Sequence, residues 1–391
     1  MSNETQPEIR FPGFTEDWKQ RKLIEGVSKI GDGLHGTPSY SEDGDVFFIN
    51  GNNLVNGKIS ITKETKFVNE SDQSKDDKSL NVNTILMSIN GTIGNLAWYN
   101  NEKVMLGKSI AYLTVSDFDK NFVYFYLQTP MMRKYFISNL TGTTIKNLGL
   151  KTIRNTELFV TDLDEQQKIG TFFKQLDDTI ALHQRKLDLL KETKKGFLQK
   201  MFPKNGAKVP EIRFPGFTED WEERRLQEVV DRYDNLRIPI TASKRVAGNT
   251  PYYGANGIQG YVEGYTHDGE FILVAEDGAN DLKNYPVQYV DGKVWVNNHA
   301  HVIQAKENLA DNMFLMNAIR SINIEPFLVG GGRAKLNADV LMKLEVIIPL
   351  KSEQQKIGAF FKQLDDTIAL HQRKLDLLKE TKKGFLQKMF V

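Results

Sequence analysis

The sequence predicts an α+β chain: two mixed α/β domains separated by two long helices that pair as an antiparallel coiled coil. Three observations predict it. Residues 165–202 recur at 353–390 with one difference, Thr171 against Ala359. The stretch PEIRFPGFTEDW stands at 7–18 and again, unchanged, at 210–221. The segments between these copies mix strand-like and helical patterns and are not copies of each other. Near-identity beside divergence marks two modules of one plan whose variable parts do different jobs, and a solenoid would show far shorter periods. The expected boundaries are 1–164 for the first domain with its N-terminal repeat, 165–202 for the central helix, 203–352 for the second domain and 353–391 for the C-terminal helix.

In the first variable segment Val46 to Ile49, Lys58 to Ile61, Thr84 to Ile89 and Ile110 to Val115 read as strands. Phe122 to Leu140 reads as a helix interrupted at Pro130. The central repeat has a heptad seam: Ile169, Phe173, Leu176, Ile180, His183, Leu187, Leu190, Lys194, Phe197 and Met201 alternate by four and three. Gly170, Gly196, Gly358 and Gly384 are expected to fray or bend the helix ends, since Gly costs about 1 kcal/mol against Ala. In the second variable segment Phe271 to Ala275, Lys293 to Val296 and His301 to Ala305 read as strands, Asn312 to Ile322 as a helix and Leu344 to Ile348 as a closing strand. The second seam repeats the first at Ile357, Phe361, Leu364, Ile368, His371, Leu375, Leu378, Lys382, Phe385 and Met389. Two equal helices on one chain pair most simply with each other; the alternative is that each packs only on its own domain. His183 and His371 are read as seam residues. The Leu-Asp-Asp triplets, with Asp177, Asp178, Asp365 and Asp366, lie beside the seam as solvated or partner-facing acids.

The chain has 391 residues with 51 Lys+Arg against 50 Asp+Glu, and 40% of them are hydrophobic, an ordinary globular composition. Cysteine is absent, which excludes disulfides, zinc-thiolate sites, iron-sulfur clusters and a cysteine nucleophile. The opening MSNETQPEIR lacks a basic stretch followed by an apolar one, and no apolar run is long enough to span a bilayer. No membrane association is expected, and a cytoplasmic protein is, held at the nucleoid if it binds DNA. Gly107-Lys108-Ser109 resembles the end of a phosphate-binding loop, but the leading glycine would fall at Glu102. There is no dinucleotide fingerprint, zinc-protease motif, serine elbow or Asn-Pro-Pro-aromatic motif for methyl transfer, so no catalytic residue and no metal site is expected. Asn298, His299 and His301 near Glu276 and Asp277 leave a small active site in the second domain open, with structural or base-contacting roles preferred.

Each helix repeat carries 8 Lys+Arg against 5 Asp+Glu, so the remainder of the chain is net acidic. That weighs against tight autonomous DNA binding, yet allows a protein that reads bases while partners grip phosphates. Before each long helix stands a loop suited to such contact. In the first module it carries Thr141, Gly142, Thr143, Lys146 and Asn147; in the second, three glycines followed by Arg333, Lys335 and Asn337. Glycine admits close backbone approach, and Arg, Lys, Asn and Thr can bond phosphates or base edges.

This layout resembles the specificity subunit of type I restriction-modification systems, over nearly the whole chain. The resemblance rests on the repeated FPGFTEDW stretch, the repeated helix, and the loops Asn90-Gly91-Thr92-Ile93-Gly94, Ala275-Glu276-Asp277-Gly278 and Trp295 to His301. It implies that the two variable segments are target-recognition domains. Each reads one half of a split, asymmetric double-stranded DNA site, and the paired helices set the unread gap. It implies two methylation subunits carrying S-adenosylmethionine, which methylate adenine N6, and restriction subunits using ATP and Mg, with no cofactor in this chain. Partner contacts are expected on the shared segments, at Phe11, Phe14, Trp18, Phe214, Phe217 and Trp221 and at the four helix aspartates. The competing expectation is a non-catalytic coiled-coil adaptor whose two domains bind protein or glycan.

Overall fold

The computed structural model describes residues 5–204, 206–331 and 334–391. The chain forms two compact units, Met1–Gln184 with Lys374–Val391, and Arg185–Arg373. The boundaries therefore fall inside the long helices, Leu163–Lys200 and Lys351–Lys388, rather than at their ends. The reason is packing: the last turns of each long helix are buried in the unit that contains the start of the other.

Unit 1 is built on a four-stranded antiparallel sheet in the order Val27–Asp32, Ile110–Val115, Thr84–Ser88, Leu96–Trp98. Thr84–Ser88 is buried at every position, because a smaller core covers one face of the sheet and helices cover the other. The helical run breaks as Pro130 requires, into Lys120–Tyr126 and Pro130–Ser138, the proline taking the first position of the second helix, where it loses no hydrogen bond. Asp119 caps the first of these by accepting from Phe122 N at 2.8 Å. Unit 2 repeats the plan with the sheet Val230–Arg232, Ala300–Ala305, Phe271–Ala275, Val287–Val290 and the helix Asn312–Ser321, capped by Asp311 on Phe314 N at 2.9 Å. Beside that sheet, where unit 1 has a three-stranded sheet of Phe67–Val68, Val46–Ile49 and Val104–Leu106, unit 2 has a second four-stranded sheet extended by the hairpin Ala247–Gly254 and Gly257–Val262. In both units the strand after the N-terminal repeat pairs with the strand preceding the long helix: Lys19–Lys22 with Glu157–Val160, and Glu222–Arg225 with Glu345–Ile348.

Within each unit the start of one long helix runs antiparallel to the end of the other. In unit 1 Phe172 meets Phe385 edge-on at 5.2 Å, Phe173 stacks on Phe390 at 5.5 Å, and Asp177 pairs with Lys382 at 2.7 Å. In unit 2 Phe360 meets Phe197 at 5.0 Å, Phe361 meets Phe202 at 5.9 Å, and Asp365 pairs with Lys194 at 2.5 Å. Every seam position, from Ile169 to Met201 and from Ile357 to Met389, is buried or half-buried, including Leu176, Ile180, His183, Leu190, Leu364, Ile368, His371 and Leu378, while Leu187 and Leu375 are fully enclosed. Phe390 also contacts Trp18, Phe122 and Tyr126, and Phe202 contacts Trp221 and Phe314, so each core is closed by the other copy's helix end.

The glycines depart from expectation. Gly170 and Gly358 lie inside unbroken helix, where the capped N-terminus of the domain helix approaches. A Cβ on Gly170 would stand 2.5 Å from Asp119 Oδ1 and 2.8 Å from Phe122 N; on Gly358, 2.7 Å from Asp311 Oδ1 and 3.1 Å from Phe314 N. Gly196 and Gly384 have open space around that position. Gly170→Ala and Gly358→Ala are expected to lower stability by about 1–3 kcal/mol through overpacking. Gly196→Ala and Gly384→Ala are expected to leave it unchanged or raise it by up to about 1 kcal/mol through helix propensity. Urea unfolding of the four variants checks the contrast, and equal effects at all four sites would refute the close-approach role.

Candidate nucleic-acid interface

In each unit the central sheet carries two loops to one edge and ties them together. In unit 1 the strand Thr84–Ser88 runs into Asn90–Gly94, where Gly91 and Gly94 take φ of 73° and 83°, a region L side chains rarely enter. Ser88 Oγ accepts from Asn95 N at 2.9 Å and donates to the Thr92 carbonyl, and Thr92 Oγ1 donates to Gly51 O at 3.1 Å, so the turn is braced from below. Asn90 bridges to Asn147, which exchanges two backbone bonds of 2.9 Å with Thr141 and closes a short hairpin. Gly142, at φ 89°, has Ile145 O only 2.3 Å from where a Cβ would stand. Thr141, Thr143 and Lys146 are exposed on this hairpin, and Asn147 sits half-buried at its base.

Unit 2 uses the same tie with different chemistry. Lys335 bridges to Asp277 and exchanges two backbone bonds of 2.9 Å with Val329, and Leu336 N donates to Glu276 O at 2.7 Å. Lys335 is not a free cation, because its ammonium lies 2.9 Å from Glu276. Asn337 is exposed and stands at the N-cap of the helix Ala338–Met342. Arg333 lies outside the described residues. Beneath the loop is a charged joint. Glu276 accepts from Arg237 at 2.6 Å, and Asp234 accepts from His301 Nδ1 and Val302 N at 2.8 Å. The other nitrogen of His301, a residue 1% exposed, faces Leu336 O at 2.8 Å. Burial pushes the Glu276 carboxyl pKa up, but hydrogen bonds from Arg237 and Lys335 outweigh it and hold the group below its ordinary value. Asp234 is likewise depressed: burial opposes, and the hydrogen bond and charge of His301 prevail. His301 is thus a structural brace. His299 donates to or accepts from Asp277 at 2.5 Å, while Asn298 is exposed. Among the described residues no cluster of acidic and histidine side chains could hold a metal ion.

Asn298 and His299 form one wall of a concave pocket of about 460 Å³ in unit 2, with Arg245, Tyr252, Asn256 and Gln259 on others. Asn256 belongs to a Gly- and Asn-rich loop, Gly254–Gly257, of the kind sequence reasoning associates with recognition, whereas Arg245, Tyr252 and Gln259 carried no such signal. They converge only when the added hairpin folds back on the loop after Phe271–Ala275, and no local spacing records that.

The shared segments are less open than expected. Trp18 and Trp221 are 2% and 3% exposed core residues, which removes them from a partner surface. Phe11 packs edge-on against Phe172 at 5.8 Å and Phe214 against Phe360 at 5.9 Å, with Lys168 over Phe14 and Lys356 over Phe217. These four rings are half-buried and fasten the repeat to its own long helix. The fastening is completed by a bidentate pair in each unit: Arg10 reaches buried Glu165 at 2.7 and 2.8 Å, and Arg213 reaches buried Glu353 at the same distances. Asp177 and Asp365 are occupied by the seam lysines, a correction to their outward placement. Asp178 and Asp366 do face outward, bonded to Lys174 and Lys362 one turn earlier at 2.8 and 2.7 Å. The helices also carry an apolar outer stripe that the heptad reading passed over: Leu182 and Leu189, 59% and 67% exposed, and their copies Leu370 and Leu377, 59% and 68% exposed.

The sequence and the fold match a known family. The family model described as the type I restriction modification DNA specificity domain matches residues 15–192 and 218–380. The chain belongs to that family. A putative type I restriction enzyme specificity subunit of Haemophilus influenzae is 47% identical over 154 residues, a match that spans 39% of each chain. The MjaVIII specificity subunit of Methanocaldococcus jannaschii is 20% identical over 68% of each. The crystal structure of the type I restriction-modification S subunit from M. genitalium superposes with a TM-score of 0.71 at 16% identity, covering 99% of both chains. These matches favour the DNA-reading expectation over the coiled-coil adaptor. Among the described residues no helix is long and apolar enough to cross a membrane.

The charged joint makes the unit 2 loop sensitive to acid in a defined direction. Because Glu276 and Asp234 titrate below their ordinary range, their ion pairs hold the loop at neutral pH and are lost as pH falls through those lowered values. Amide exchange at Lys335 and Leu336, corrected for intrinsic rate, is expected to stay slow from neutral pH down through the ordinary carboxylate range and to accelerate only below it. Glu276→Gln should accelerate it at least about tenfold already at pH 7, as loss of a charge-assisted bond implies. Unchanged protection in that variant would show that the joint does not hold the loop.

Proposed function

We propose that this chain is the non-catalytic, sequence-reading subunit of a type I restriction-modification complex, in which each unit reads one half of an asymmetric split site in double-stranded DNA. The observation that carries the reading is where the two units agree and where they differ. The helix repeats, the Arg–Glu fastenings and the sheet plan recur, whereas the loops tied at the sheet edge are Asn90–Gly94 with Thr141–Asn147 in one unit and Glu276–Gly278 with Val329–Lys335 in the other. A frame that is kept while its loops diverge suits two readers of different sequences on a common support. The paired helices act as the spacer that sets the unread gap.

Methylation subunits bring S-adenosylmethionine and methylate adenine N6 in each half-site, and restriction subunits add ATP- and Mg-dependent cleavage, all at DNA in the bacterial cytoplasm. Two equivalent docking sites for methylation subunits are supported by the exposed leucines, which come as two identical sets with seven-residue spacing, Leu182 with Leu189 and Leu370 with Leu377. Apolar groups left in water at that spacing fit a helix laid alongside.

Two experiments test this reading. Inserting about one turn of helix after Leu190 is expected to lengthen the gap of the methylated motif and leave both half-sequences unchanged; an unaltered motif would sink the spacer role. Leu182→Glu with Leu189→Glu is expected to reduce co-purification from two methylation subunits to one, with a like effect of Leu370→Glu with Leu377→Glu. Retention of both subunits by both variants would place docking elsewhere. Mass photometry of the reconstituted complex reads the stoichiometry.

A further inference from the structure

The unit 2 pocket holds an arginine prepared for a planar partner. Arg245 lines it, and the guanidinium carbon lies 4.0 Å from the centroid of the Tyr252 ring. Tyr252 is itself 1% exposed, with its hydroxyl donating to Ile240 O at 3.3 Å, so the platform under the guanidinium is immobile. Arg245 spends a single donor within the protein, Nε toward Ile240 O at 3.4 Å, and makes no ion pair among the described residues. The acid in the same pocket, Asp277, is engaged by His299. The walls are equally set. Asn256 donates to Gly278 O at 2.9 Å and accepts from Asn280 N at 3.0 Å, and buried Asn297 accepts from His299 N at 2.8 Å. Asn298 and Gln259, both exposed residues, also line the pocket.

An arginine held over an aromatic ring by its Nε bond has part of its rotamer entropy already spent and presents its remaining N–H groups as a pre-positioned fork. Two partners match such a fork on DNA: a phosphate, and the N7 and O6 acceptors of guanine in the major groove. A phosphate contact tolerates a mobile, solvated cation. A pre-positioned fork in a walled pocket lined by amides is fitted to an edge of fixed geometry. Resting on the DNA-reading proposal above, we propose that Arg245, held by Tyr252, reads one guanine of the half-site recognised by unit 2.

The test is the methylated motif in cells that carry the full-length chain with its methylation partner, mapped by single-molecule sequencing for wild type, Arg245→Lys and Arg245→Ala. Wild type is expected to require guanine at one position of the unit 2 half-site. Both variants are expected to lose that requirement by about 5- to 150-fold, the discrimination carried by one bidentate contact, and to keep the other positions and the unit 1 half-site. Arg245→Ala decides between the two partners, since losing a base contact relaxes one position whereas losing a phosphate contact lowers methylation evenly, and Arg245→Lys reports how far the planar fork is needed. If Arg245→Lys keeps the motif and Arg245→Ala lowers methylation evenly across all sites, the contact is to the backbone and the proposal is overturned. Loss of both half-sites in Arg245→Lys would overturn it too, because a base contact is local. Absence of any methylated motif with the wild-type chain would instead refute the DNA-reading proposal on which this one stands.

Discussion

Each unit of this protein is closed by a piece of chain that belongs, by sequence, to the other copy. Unit 1 buries Phe390 among Trp18, Phe122, Tyr126 and Phe173, and unit 2 buries Phe202 among Trp221, Phe314 and Phe361. Neither core is complete until a long helix has been laid antiparallel beside its counterpart. Truncating one such buried aromatic ring to alanine costs about 3–5 kcal/mol, a large share of a typical domain's net stability. The seam, the ion pairs of Asp177 with Lys382 and Asp365 with Lys194, and the register of the long helices all follow from that exchange.

The same constraint explains which residues are invariant between the copies. Gly170 and Gly358 admit the capped end of the domain helix, Glu165 and Glu353 receive the arginine of the N-terminal repeat, and the phenylalanines of that repeat lie on the helix surface above them. A change in any one of these would have to be matched in a partner distant in sequence, so the set moves together or stays fixed. Where the domains are free of this frame they diverge. Lys382 reaches Gln128 at 3.4 Å in unit 1, whereas in unit 2 Arg320 occupies the corresponding place and shares Asp365 with Lys194. Burial lowers the pKa of both Lys194 and Arg320, and their mutual charge adds to it for Lys194. The joint at that end of the seam therefore tolerates a change in charge as long as the helix packing is kept.

The loops tied at the sheet edge sit at the opposite extreme. They are anchored by two or three backbone bonds to the end of a fully buried strand, and almost everything beyond the anchor faces solvent. Rigid roots and open tips allow new side chains to be presented without disturbing the core. The two units use that freedom differently: an uncharged turn in one, a charged joint and an added hairpin with a pocket in the other.

Much of this was legible in the residues themselves. Duplication, the heptad seam, the strands Val46–Ile49, Ile110–Val115 and Phe271–Ala275, the break at Pro130 and the loops before the long helices are local patterns, because periodicity and backbone restriction act over a few residues. Three things depended on tertiary contact. The boundary between units falls within the helices, because a helix end is assigned by the core that buries it. Trp18, Trp221, Asp177 and Asp365 turn inward, because a repeated aromatic or acid looks the same in sequence whether it faces a partner or its own fold. The pocket that holds Arg245 on Tyr252 exists only where a hairpin, a strand end and a loop from separate parts of the second variable segment converge, so spacing alone carries no trace of it.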